Sequence, residues 1–215
     1  MIREFFRYLA LIPGWLYHWI FFTTKTYYED KSVQGKRVKG GALVISNHRH
    51  VYDYFVNIFV FFPLRKLYVV MKSDIFRKSA FCRWGLKCFG AIPADRDQRG
   101  MRFMDDSIRL LHKGKLVQIF PEGYNAPTKD MLPFKTSYIL IAQRADVPIV
   151  PIITDANYGL FRRTHIIIGK PICLSDYCEH ANPSRQEIEY LNFIVRERCM
   201  SLQAELERRI RDDNA

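Results

Sequence analysis

Two stretches of the chain hold side chains whose types and spacing suit proton transfer. In SNHRHVYDYF, His48 precedes Asp53 by five positions. A carboxylate that accepts a hydrogen bond from one imidazole nitrogen fixes the ring's tautomer, and it stabilises the charge that forms when the other nitrogen takes a proton. The pair therefore suits a general base. Its spacing imposes a condition. Five residues of continuous helix turn through about 500°, leaving the two side chains about 140° apart. His48 must then sit in a loop and Asp53 in the first turn of the following helix. Taken alone, the same residues also suit a helix cap formed by Asn47 and Asp53 beside a surface histidine. A metal site of His48, His50 and Asp53 is a third reading, although no further ligand cluster accompanies them.

The second stretch is FPEGY, where Glu122 directly follows an apolar run and Gly123 offers a backbone that a ligand can approach closely. Pro-Glu-Gly is also ordinary turn chemistry. A third stretch, GAIPADRD, carries Arg96, suited either to bidentate phosphate contact or to an ion pair with Asp95 or Asp97.

The elements that must position these groups alternate. Short apolar runs predict strands at 42–46, 67–71, 90–94, 115–120, 147–153 and 165–169. Helices are expected over 51–62, over 74–88 with Trp84 and Cys88 inward, over 100–113 with Gly114 as its stop, and over 135–145. The last 30 residues predict an amphipathic helix striped by Leu191, Val195, Cys199, Leu202, Leu206 and Ile210. Such alternation defines an α/β domain with a largely parallel central sheet covered by helices on both faces. Sites in such sheets lie beyond the carboxyl ends of the strands, which singles out the segments after 46, 94 and 120.

Composition narrows the partners. The 215 residues carry 33 basic and 22 acidic side chains, a net +11, with a pI near 9.5. A polyanionic partner is expected. Aromatic residues make up 14%, many near the N-terminus, and no nucleic-acid recognition element is evident. An anionic membrane surface is therefore expected, and no nucleic acid. The five cysteines show neither a Cys-x-x-Cys pair nor a histidine at zinc-site spacing, and read as reduced, mostly buried thiols.

Residues 5–22, FFRYLALIPGWLYHWIFF, lack a signal-peptide cleavage site. Arg7, His18 and the Pro13–Gly14 step argue against a spanning helix, and Pro13 predicts two short helices. Trp15, Tyr17 and Trp19 suit the water–lipid boundary. Residues 1–30 are thus expected to be an interfacial anchor, with a spanning helix or a helix packed on the domain as alternatives, and residues 31–215 the catalytic domain. Lys25, Lys31, Lys36, Arg37 and Lys39 would assist at an anionic leaflet.

The blocks NHRHVYD (47–53), GAIPADR (90–96), FPEG (120–123) and VPIVPI (147–152) together resemble the glycerophospholipid acyltransferase family, and within it the 1-acyl-glycerol-3-phosphate (lysophosphatidate) acyltransferases. The resemblance implies that His48 is the general base and Asp53 its orienting partner. It implies substrate binding by Asn47, Arg96, Glu122, Gly123 and Lys135, with VPIVPI bordering an acyl pocket. It also implies phospholipid biosynthesis at a cell membrane, peripheral or monotopic on the cytoplasmic face. Acyl-CoA or acyl carrier protein would be co-substrate, with no metal and no cofactor. One departure stands out: where the family continues Thr-Arg after its third block, this chain has Tyr124 and Asn125. Lys129 or Lys135 would have to supply the lost charge. Another lysophospholipid or glycerol phosphate as acceptor, and a non-catalytic lipid-binding role, remain as alternatives. A hydrolase fits less well, since no serine or cysteine is placed as a nucleophile.

Overall fold

A computed structural model of the chain describes residues 2–94, 101–125, 128, 130–159, 162–180 and 182–214. Seven strands form one sheet: β1 (Thr23–Tyr28), β2 (Ala42–Ser46), β3 (Leu67–Lys72), β4 (Ala91–Ala94), β5 (Leu116–Ile119), β6 (Ile149–Thr154) and β7 (Arg163–Ile168). Their order is β1-β7-β6-β2-β5-β3-β4. Neighbours run parallel except β6 and β7. The helices are α1 (Ile2–Phe21), α2 (Asp53–Val60), α3 (Asp74–Arg77), α4 (Ala80–Cys88), α5 (Met101–His112), α6 (Ser137–Ala145) and α7 (Arg185–Asn214).

Two cores follow from the two-residue period of the strands. Leu43, Ile45, Val117, Ile149, Ile153 and Ile167 face one way, toward residues of α5, α6 and α7. Their alternates Ala42, Val44, Leu116, Val150, Ile152 and Ile166 face the other, toward Leu11 of α1 and Val56, Ile58 and Phe59 of α2. The sheet is thus buried on both sides, which is why its strands read as unbroken apolar runs. The α7 stripe expected from sequence is seated in the first core.

Four local expectations are corrected. Pro13 does not divide α1, which is continuous. Leu9 and Pro13 both lie on the exposed side, so the carbonyl that loses its donor does not open a defect in the core. The span 74–88 is two helices, and Trp84 is 62% exposed. The break at residues 78–79 resets the helical phase, so a stripe extrapolated across it turns the wrong face inward. Only Cys199 is buried among the free cysteines described, whereas Cys173 is exposed.

The fourth correction is β1, a strand inside the segment read as part of the anchor. TTKTYY has no apolar alternation to announce it. It is an edge strand paired with β7 alone and held from outside by α7. Lys25 bonds Asp213, Arg198 pairs with Glu29, and the Arg209 guanidinium donates to the Tyr28 carbonyl at 2.9 Å.

Among the described residues, no helix is long and apolar enough to cross a membrane. One side of α1 buries Leu11 and His18 against the domain, and burial holds the His18 ring neutral by lowering its pKa to about 4. The other side exposes Ile12, Leu16, Tyr17, Trp19 and Ile20.

Candidate active site

β2 ends at Ser46, and the chain enters a loop that returns as α2 at Asp53. This is the arrangement the five-residue spacing demanded. Asn47 fixes the start of the loop. Its side-chain amide donates to the Thr154 carbonyl at 2.9 Å and its carbonyl accepts the Thr154 N–H at 3.0 Å. The side chain thereby extends the β2–β6 ladder by one rung. Asn47, expected to bind substrate, is buried and bonds the backbone of the neighbouring strand.

The next residue carries the imidazole. His48 Nδ1 lies 2.9 Å from Asp53 Oδ2. The same oxygen accepts the backbone N–H groups of Arg49 and His50, both at 2.7 Å, and the Tyr158 hydroxyl donates to Oδ1. Four donors aimed at a buried carboxyl hold it as an acceptor. Nδ1 must then carry the proton, which leaves Nε2 as the basic nitrogen. The His48 ring stacks on Phe120, centroids 4.2 Å apart, and its side chain keeps 18% exposure. Asp53 has none.

Glu122 closes the constellation from β5. Oε1 accepts the His48 N–H and Oε2 the Leu132 N–H, each at 2.9 Å. Burial pushes its carboxyl upward in pKa, opposed by these two bonds and by the nearby charges of His48 and Arg49. With both oxygens accepting from backbone, Glu122 ties the His48 loop to the loop before α6. Gly123 adopts φ +73°, a left-handed conformation that side chains disfavour, and a Cβ there would meet Lys135 Cε and Nζ at 2.9 Å. Lys135 lies over the Tyr124 ring at 4.8 Å. The structure therefore gathers His48, Asp53, Glu122, Gly123 and Lys135 at the carboxyl ends of β2 and β5. Arg96 and Lys129 lie outside the described residues.

All six residues of β6, which overlaps the VPIVPI segment, are buried, Ile149 and Ile153 in one core and Val150 and Ile152 in the other. An opening of about 410 Å³ lies just past the end of β6, lined by Tyr17, Phe21 and Phe22 from α1 and its exit, His50 and Tyr52, and Ala156, Tyr158, Gly159 and Arg162. Tyr158, absent from the sequence reading, sits there beside the dyad. The rule that had pointed to the ends of the other strands would have found it four residues beyond Thr154. Elsewhere, Cys178, His180 and Glu187 bring potential ligand atoms within 4.8 Å of one another, a Cys-x-His spacing the sequence reading passed over. Glu187 already accepts from Ser184 N at 2.7 Å and caps α7.

The chain matches the acyltransferase family over residues 22–155, more than half its length, and it belongs to that family. It is 26% identical to the 1-acyl-sn-glycerol-3-phosphate acyltransferase of Bacillus subtilis (strain 168) over 147 residues, 66% of this chain and 71% of that one. With the enzyme of the same name from Haemophilus influenzae it shares 28% over 148 residues, 67% of this chain and 60% of the other. The yeast (Saccharomyces cerevisiae) counterpart is 29% identical over 149 residues, and the match spans 46% of its length. The solved 1-acyl-sn-glycerophosphate (LPA) acyltransferase PlsC of Thermotoga maritima has the same fold, with a TM-score of 0.63 at 20% identity, covering 94% of this chain and 81% of that one.

Proposed function

We propose that the chain is a 1-acyl-sn-glycerol-3-phosphate O-acyltransferase, moving a fatty acyl group from the thioester of coenzyme A or acyl carrier protein to the sn-2 hydroxyl and forming phosphatidate. The observation that carries this reading is the His48–Asp53 pair, oriented so that Nε2 is the free base. Nε2 takes the proton of the lipid hydroxyl as its oxygen attacks the thioester carbonyl. The tetrahedral adduct collapses, the carbon–sulfur bond breaks, and the departing thiolate receives that proton from the imidazolium. No covalent enzyme intermediate, metal or prosthetic group is needed. Asp53 stabilises the imidazolium while it lasts. Lys135, at the rim beside Gly123, is the cation placed to meet the acceptor's phosphate.

The acceptor is tested by supplying purified protein in lipid with both thioester donors and a panel of lysophosphatidate, other lysophospholipids and glycerol 3-phosphate. Phosphatidate as the main mass-identified product is the expected result. Preference for a different lysolipid would move the assignment to that acceptor, which Tyr124 and Asn125 in place of the usual Thr-Arg favour as the second reading. Binding without transfer would leave a lipid-binding protein.

The reading extends to location. The exposed face of α1, with Leu16, Trp19 and Ile20, lies in the membrane interface on the cytoplasmic side, and the net positive charge is drawn to anionic headgroups. Replacing Trp19 and Ile20 by aspartate should weaken partitioning into phosphatidylglycerol vesicles at least ~10-fold, each buried side chain being worth about 2 kcal/mol. Unchanged co-sedimentation with vesicles would remove the anchor assignment.

A further inference from the structure

Asp53 has two oxygens, and general-base orientation of His48 uses one. What holds the other comes from a different part of the chain, the loop between β6 and β7. That loop is elaborately braced. Ala156 adopts φ +54°, an uncommon conformation for a residue with a Cβ. Asp155 accepts the Asn157 N–H at 3.0 Å and pairs with the His165 ring at 2.7 Å. The Thr164 hydroxyl donates to the Asn157 carbonyl at 3.0 Å. All of this fixes the backbone immediately before Tyr158. The Tyr158 ring is then clamped edge-on by Phe22 and Tyr52, with centroids 6.1 and 6.3 Å away, and tilted against His50 at 5.7 Å. Its hydroxyl ends on Asp53 Oδ1.

We propose that Tyr158 is a positioning residue of the acyl-transfer site, a third member of a His48–Asp53–Tyr158 chain that holds the Asp53 carboxylate in the rotamer presenting Oδ2 to the imidazole and disperses part of its charge. This rests on His48 being the base. Burial and the neighbouring Asp53 charge both drive the Tyr158 hydroxyl well above its ordinary range, so it remains a donor throughout the working pH range. A phenylalanine would fill the same space and lack only the donor.

Of the titratable and charged groups around the dyad and Tyr158, Glu122 comes from the β5 loop, Arg49 and His50 from the dyad's own loop, and Asp155 from the loop after β6, where Arg162 lines the same opening as Tyr158. Tyr158→Phe leaves every one of them in place, so a change in pH behaviour reports the lost hydroxyl. Without that donor the Asp53 charge is more concentrated and attracts the imidazolium more strongly. The proton on His48 then persists to higher pH.

In the full chain with lipid, Tyr158→Phe should lower kcat about 3- to 10-fold at nearly unchanged KM. The acidic limb of the kcat/KM profile should move upward by about half a pH unit. The His48 ring resonance, followed by NMR on the same two proteins, should show the same upward move of its midpoint. A rate loss with superimposable pH profiles and superimposable ring titrations would mean that Tyr158 is mere packing, and the proposal fails. If neither protein releases thiol, the acyltransferase reading fails, while the ring titration still decides whether Tyr158 acts on His48.

Discussion

His48→Ala should reduce thiol release from the acyl thioester by roughly 10²- to 10⁴-fold, the usual worth of a positioned general base. Folding and vesicle binding should be unaffected. Removing the ring deletes no interaction the scaffold depends on: the His48 N–H that Glu122 accepts belongs to the backbone and survives the substitution. Only stacking on Phe120 and the bond to Asp53 are lost. KM should hardly move, because in the proposed mechanism the imidazole acts on the reacting hydroxyl and not on the rest of either substrate. Turnover of the variant at the parent's rate would take the chemistry away from this site altogether.

Asp53 combines a catalytic with a structural debt, and its two natural substitutions should separate them. Asp53→Ala takes the carboxylate acceptor away from the part-buried N–H groups of Arg49 and His50, the His48 ring and the Tyr158 hydroxyl. At about 1–3 kcal/mol for each buried group left unsatisfied, the sum takes several kcal/mol from a domain whose total stability is of order 5–15. That variant should unfold at markedly lower denaturant concentration. Asp53→Asn keeps the volume but brings two N–H donors among groups that already donate. The imidazole would turn to its other tautomer, and kcat should fall by about 10³- to 10⁴-fold, a loss of the size seen when a buried triad aspartate becomes asparagine. Stability should drop less than for alanine. An asparagine variant retaining a tenth of the parent's kcat would show that the carboxylate does not orient the base.

Much of the parallel core was legible because burial on both faces writes continuous apolar runs. The runs at 42–46 and 147–153 correspond to β2 and β6 within two residues at each end. The loop–helix placement of His48 and Asp53 was legible too, since the spacing excluded a continuous helix. What sequence concealed were features set by partners distant in the chain. β1 is a strand because β7 and the charged side chains of α7 hold it, and nothing local says so. The resemblance implied substrate contacts for Asn47 and Glu122, and no local signal announced their bonds to Thr154, Leu132 and the His48 backbone. Polar residues at a strand's end serve equally for chemistry or for bracing, and only the register of the neighbouring strand decides which.

The reversal between β6 and β7 reaches further than the sheet. Thr154 lies opposite Ile166, and Thr23 begins level with Arg163, so the amino end of the outermost strand opens on the same rim where the imidazole stands. Had those last two strands followed the direction of the others, the end of α1 would emerge at the opposite rim, about 20 Å away for a six-residue strand. The turn of polarity thus delivers the aromatic end of α1 to the rim of the proposed base. A lipid held by that helix would arrive with its hydroxyl already near the base, and would not need to leave the bilayer to be acylated.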